Sequence, residues 1–369
     1  MGFLPHQAEK TVSTAALTGA ALDQNWKVIL LTKYVLKRLV YIVVVFIVIS
    51  VVMFSLFNLI PSDPAREQLE SKRKDMTAQE YEFAYTELRN QMGLDDPLAI
   101  RYLRWFGLAP EKQSGKFEGI LQGYFGYSYG FKQDCIDVMK VPMGNTLMFN
   151  IFSVILTLAV TIPLGIVCAV RKNSKMDQAV QSFTILGYSI PSYIIALIFI
   201  FLFAVLLRWF PVSGAKTPGS NYTGLKEFMD RLYYMALPII ISAFASLGGM
   251  SRYVRASMID ALSMDCVRTA RAKGVKERVV IYSHAWRNAL LPVITSIIGW
   301  FLSVFSGSIV LEQMFGLNGM GKLYINALNT HDNELCLAIQ MFYTIIALCG
   351  NLITDLAYGL VDPRVRVNK

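Results

Sequence analysis

The stretch "FGLNGMGKLY", Phe315 to Tyr324, holds Gly316, four further residues, then Gly321 and Lys322, which is most of a loop that wraps nucleotide phosphates. Such a loop also needs Ser or Thr after the lysine to hold magnesium, a strand before it and a helix after it. Here Leu323 follows Lys322, and the residues before the loop close an apolar run. The reading is a glycine-rich turn, without nucleotide. "GYSYG", Gly126 to Gly130, fits a nucleophile elbow centred on Ser128, but that pattern works only on a strained strand-to-helix turn with a base at hand. No sheet is expected, and of His6, His284 and His331 only His331 is placed on the same side of the chain, so a membrane serine hydrolase is a remote alternative. The histidines are too scattered for a metal site. No catalytic, cofactor or metal residue is expected in this chain.

The elements that would carry these residues are set by composition. Of 369 residues, 54% are hydrophobic and 17% charged, too apolar for an ordinary soluble domain. An Arg, Lys or Asp at the centre of a membrane helix costs about 2.5–3.5 kcal/mol, so spans are found where charge is missing. Six windows free of Asp, Glu, Lys and Arg reach the ~20 residues a spanning helix needs. They predict helices over residues 39–60, 147–170, 181–207, 233–254, 290–311 and 335–359. Pro163, Pro191 and Pro238 fall inside them and are expected to kink the helices without ending them. Asp355, near the end of the sixth span, is placed to be solvated or to pair with Arg364 or Arg366, so a proton relay of the chain's own is not expected.

Basic residues gather in alternate connections: Lys10, Lys27, Lys33, Lys37 and Arg38 before the first span, Arg171, Lys172 and Lys175, then eight between Arg252 and Arg287, then Arg364, Arg366 and Lys369. The positive-inside bias puts these segments, and both termini, in the cytoplasm. The net charge of +9 is thereby topology, and with no basic soluble domain nucleic acid is excluded as a partner. Five cysteines make no disulfide framework, although Cys135 and Cys336 share the outer side and could pair. The first apolar run reads as a retained anchor.

The organisation expected is a cytoplasmic extension at 1–32, to which no role is assigned, a first helix at 33–60, an external subdomain at 61–140, a five-helix core at 141–361 and a tail at 362–369. In the external part Tyr81, Tyr85, Leu88 and Met92 recur at helical spacing. Within the core, a loop at 255–288 carries a short basic helix that Asp265 or Ser263 can cap and that Gly274 should stop. A second helix then runs into the fifth span.

"DCVRTARAKGV" and "RNALLPVI", between Asp265 and Ile294, resemble the cytoplasmic coupling signature of binding-protein-dependent ABC importers, in the form typical of oligopeptide and dipeptide permeases. "LKRLVYIVVVFIVISVVMFSLFNLIPSDPA", "GLDDPLAIRYLRWFG", "GYFGYSY", "IPSYIIAL", "FPVSGA", "GLNGMGKL" and "LVDPRVR" resemble further stretches of that family in the same order, from about Tyr34 to Arg366. The resemblance is to the B-type permease subunit of a type I importer in the membrane of a prokaryote. It implies an all-α half-channel of six helices that pairs with a second, homologous permease, two cytoplasmic ATPases that use ATP-Mg, and an external peptide-binding protein. It also implies that Arg268, Thr269, Ala270, Arg271, Ala272, Lys273 and Gly274 form the helix seated in an ATPase groove. Ala270, Ala272 and Gly274 would allow close approach, and Arg268, Arg271 and Lys273 would meet acidic partners. Arg268, Thr269 and Ala270 stand where many importers have Glu-Ala-Ala, so no glutamate contact carries over. Same-family permeases for nickel, glutathione or oligosaccharides are the alternative cargo readings.

Overall fold

The computed structural model describes residues 35–60, 63–70, 73–112 and 114–361, so the segment 1–32, the tail 362–369 and with it Arg364 and Arg366 lie outside it. Helix α1, Val35–Leu59, crosses the boundary between two compact units, one ending at Met53 and one beginning at Phe54. All that follows concerns the second unit.

It opens with three short helices, α2 (Pro64–Glu70), α3 (Ala78–Gln91) and α4 (Leu98–Phe106). Helix α3 starts on a capping box, in which the Thr77 hydroxyl accepts from the Glu80 N–H while the Glu80 carboxylate accepts from the Thr77 N–H, so two otherwise orphaned donors are satisfied. Tyr81, Tyr85, Leu88 and Met92 do lie on one half-buried stripe, with the first two rings stacked at 6.4 Å. Arg89 ties the stripe down through Asp63 at 2.8 Å and Asp95 at 2.5 Å. A two-residue ribbon, β1 (Tyr127–Ser128) antiparallel to β2 (Gln133–Asp134), is the small exception to the strand-free expectation.

The membrane-type helices are longer than the charge-free windows that announced them. Helix α5, Cys135–Val170, has 36 residues and α8, Leu225–Leu262, has 38, or about 54 and 57 Å at 1.5 Å per residue. A hydrocarbon core of about 30 Å needs only part of that length, so the window marks the dry segment and the charged ends carry the helix on into water. Pro163 and Pro238 sit within unbroken helices, as expected. Pro191 does not. Helix α6, Lys175–Ser189, ends at Ile190 in extended geometry, and α7, Ser192–Phe199 with a π-helical continuation to Leu206, leaves at 103°. The residue before a proline is pushed out of helical geometry and the proline supplies no N–H, so at Ile190–Pro191 the third span becomes a broken pair. The fifth span also differs from expectation. Helix α11, Trp286–Leu302, gives way to a 3₁₀ turn, Ser303–Phe305, and residues 309–311 belong to a separate helix α12, Ile309–Met314. Helix α13, Met320–Asn329, and α14, Asn333–Val361, complete the unit. Among the described residues, five helices are long and apolar enough to cross a membrane, or six if α6 and α7 make one span.

Apolar clusters sit at opposite ends of α5. Cys135 and Met139, at its start, pack with Met320, Leu323, Leu335 and Ile339. Ile166 and Ala169, near its end, pack with Val254, Met258, Val267, Ala270 and Val280. Cys135 and Cys336 share the first cluster as free thiols.

Candidate functional site

The short basic helix forms where the sequence placed it. Helix α9, Asp265–Ala272, follows α8 after two residues and ends on Lys273. Gly274 takes φ +73°, its N–H donates to the Arg271 carbonyl at 2.9 Å, and the Val275 N–H donates to the Ala270 carbonyl at 3.2 Å. This pair of bonds is the glycine stop in which a left-handed residue satisfies the last carbonyls. The start is different from expectation. Met264 occupies the N-cap position without a side-chain bond, and the Ser263 hydroxyl donates back to the Asp260 carbonyl at 2.7 Å. Asp265 lies inside the first turn, where its charge meets the positive end of the helix dipole instead.

The seven residues divide by direction. Ala270, like Val267 just ahead of the seven, turns into the chain's own core, where its small side chain joins Val280 and Ala285. Arg268, Thr269, Arg271, Ala272, Lys273 and Gly274 are exposed. Arg268 stands 3.6 Å from Asp265, and the Thr269 hydroxyl donates to the Asp265 carbonyl. Arg271 forms a forked pair with Glu277, Nε at 3.2 Å and Nη2 at 2.7 Å, which fastens α9 to the next helix, α10, Glu277–Val279. Exposed pairs of this kind are worth about 0–1 kcal/mol, so an acidic partner can replace Glu277 at little cost. Lys273 has no ion pair among the described residues. The result is a protruding basic face backed by a buried apolar one, on a loop that leads through a π-helical segment, Val280–Ala285, directly into α11.

One interaction between α6 and α8 had no sequence signal. Asp177, 2% exposed on α6, receives both arms of Arg255 on α8, Nε at 2.8 Å and Nη2 at 2.6 Å, and accepts the Asn173 N–H at 2.9 Å. The partners lie 78 positions apart, and only the packing of α6 on α8 joins them.

The opening glycine stretch does bind an anion, and the anion is the chain's own. Glu312, 1% exposed, accepts the Lys322 N–H at 2.9 Å, the Ser308 N–H at 3.3 Å and the Thr146 hydroxyl at 2.9 Å. Thr146 in turn accepts the Met320 N–H at 2.8 Å. A Cβ at Gly319 would stand 2.3 Å from the Glu312 carboxyl carbon, so glycine is needed for the carboxylate to enter. Burial raises the Glu312 carboxyl above its usual range, and the backbone N–H of Lys322 opposes the rise. Lys322 contributes its backbone, and its side chain makes no bond here. Ser128 likewise has a structural task. It is fully buried, donates to Asp332 at 2.5 Å and accepts the Phe131 N–H. A buried hydroxyl held by a carboxylate and closed off from solvent is no nucleophile.

The geometry thus offers membrane-type helices and a protruding basic helix. The family model described as "Binding-protein-dependent transport system inner membrane component" matches residues 161–367, and its N-terminal counterpart matches residues 31–150. The chain belongs to that family. The permease is similar to the oligopeptide transport system permease protein AppB of Bacillus subtilis strain 168, 33% identical over 334 residues that cover 90% of this chain and 98% of the relative. It is also similar to the dipeptide transport system permease protein DppB of the same organism, 30% identical over 344 residues covering 92% and 99%. It is therefore an inner-membrane permease subunit of an ABC importer, an all-α membrane protein and no enzyme, and it works with ATPase and solute-binding partners.

Proposed function

We propose that the permease forms half of a translocation pathway for oligopeptides or dipeptides, with a second, homologous permease as the other half. In this reading both termini and α9 face the cytoplasm, and an external peptide-binding protein docks on the subdomain at 61–140. Two ATPase subunits supply ATP-Mg chemistry that this chain does not perform. The cargo reading is supported by the names of the two Bacillus relatives. The coupling reading is supported by one observation above the others: α9 presents Arg268, Arg271, Ala272, Lys273 and Gly274 outward on a rigid, glycine-stopped turn whose inner face is buried.

The mechanism follows from that anchoring. ATP-driven closure of the ATPases draws the seated helices together. Because Val267 and Ala270 are packed on α8 and on the segment leading to α11, the movement passes into two membrane helices as a unit. The pathway turns outward, the binding protein releases its peptide, and hydrolysis resets the cycle, a population shift powered by nucleotide binding elsewhere.

Gly274→Arg tests the seat. A Cβ at Gly274 meets nothing within 4 Å, so the new side chain has room within this chain, and the positive φ costs about 1–2 kcal/mol. In an assembled complex the variant is expected to keep its fold and lose uptake and ATPase stimulation. Unchanged uptake and stimulation in a folded complex would remove α9 from the coupling role.

A further inference from the structure

At the end of the unit that carries α2, α3 and α4, two cavities of about 280 and 200 Å³ meet between the short helices and the start of α14. Their common wall includes Arg101, Tyr129 and Glu334. Most charged groups around them are already satisfied. Arg89 is held by Asp63 and Asp95, Arg104 by Asp96 at 2.5 Å, and Asp332 accepts from Ser128, from the Gly130 N–H at 3.0 Å and from the Leu335 N–H at 3.2 Å. Two are not. Arg101 on α4 spends only Nη2, on the Asn58 side-chain oxygen, and Glu334 in the first turn of α14 has no hydrogen bond or ion pair among the described residues. The two opposite charges share a cavity without joining.

An unpaired charge in a cavity is costly, so Arg101 and Glu334 offer unused bonding capacity to whatever fills it. Unused Arg101 N–H groups call for a carboxylate. An unused Glu334 carboxylate calls for a cation with N–H donors. The larger cavity approaches the volume of about 300 Å³ at which small-molecule pockets begin, and Phe57, Leu94 and Leu337 give it apolar wall as well. We infer that this cavity is a binding site for a small zwitterion, a free amino acid or a dipeptide, with its carboxylate on Arg101 and its ammonium on Glu334. Occupancy would tie the short-helix region to α14. The inference needs no ATPase and is independent of which cargo the importer carries.

Titration calorimetry of the full chain in lipid nanodiscs provides the test, with alanine, alanyl-alanine, N-acetyl-alanyl-alanine and alanyl-alanine amide as probes. Alanine or alanyl-alanine is expected to bind. If alanyl-alanine binds, acetylation and amidation should each weaken it about tenfold or more, the worth of one charge-assisted contact. If only alanine binds, the free amino acid is the ligand, and N-acetyl-alanine and alanine amide take the place of the capped dipeptides. Glu334→Gln, which keeps the side chain's volume, should erase the acetylation penalty and keep the amidation penalty, and Arg101→Gln should do the reverse. The inference is overturned if neither uncapped probe binds, if capped and uncapped probes bind the wild-type chain equally, or if both penalties survive in both variants.

Discussion

Replacing Glu312 is the sharpest perturbation of the glycine loop, because the carboxylate is 1% exposed and serves three donors at once. Glu312→Ala leaves the Lys322 and Ser308 N–H groups and the Thr146 hydroxyl without an acceptor. Each buried donor so stranded costs about 1–3 kcal/mol, which gives roughly 3–9 kcal/mol for the three before water enters the space. The lower figure alone corresponds to a local opening about 150-fold more frequent. Amide hydrogen exchange in the assembled complex reads this directly at Lys322 and at Met320, whose N–H is bonded to Thr146. The expected result is exchange at least 100-fold faster at both amides in Glu312→Ala, and about tenfold faster in Glu312→Gln, which keeps one acceptor oxygen and volume. Lys322→Ala is the internal control. Since Lys322 gives only its backbone to the carboxylate, its exchange should change little. Unaltered exchange at Met320 and Lys322 in a folded Glu312→Ala complex would refute the self-occupied cradle, and a loss in Lys322→Ala as large as in Glu312→Ala would restore the side-chain lysine to an anion site.

Two further outcomes follow from charges seen only in the fold. Hydrogen bonds from Arg89, Arg104 and the Thr77 N–H hold the Asp95, Asp96 and Glu80 carboxyls below their usual ranges. A carboxyl with a lowered folded pKa stabilises above its unfolded value and loses that contribution as pH falls through the folded one, so α3 and its flanks should loosen below about pH 4 and not between pH 5 and 8, as followed by exchange of the α3 amides. Removing one partner of the buried Asp177–Arg255 fork should cost about 3–5 kcal/mol, while replacing both with apolar residues of similar volume should cost much less. Thermal unfolding in nanodiscs of Arg255→Met, Asp177→Leu and the double variant checks this, and additive losses would contradict a shared ion pair.

Much of the architecture was legible because a bilayer penalises charge so heavily. Windows without Asp, Glu, Lys or Arg located α1, α5, α8, α11 and α14, and Gly274 marked the end of α9 to the residue. What escaped depended on partners distant in the chain or on local steric choice. A proline in a span tells of a lost N–H but not of its consequence: Pro163 and Pro238 sit within continuous helices, while at Pro191 the chain turns by 103°. The glycine pattern at 316–321 encloses the chain's own carboxylate, and nothing in its spacing named Glu312, since an anion four residues upstream looks like any loop acid. Ala270 shows the same limit on a smaller scale. Its size suggested an outer contact, and the turn of α9 points it inward.

The central claim is that this permease carries no motor and borrows one through α9. ATP turnover and uptake should therefore be measured with the purified permease alone and again after the ATPase subunits, second permease and binding protein are restored. The account predicts no turnover and no uptake from the chain alone, with both appearing in the restored complex and vanishing with Gly274→Arg. Nucleotide hydrolysis or solute pumping by the isolated chain, free of contaminating ATPase, would contradict it.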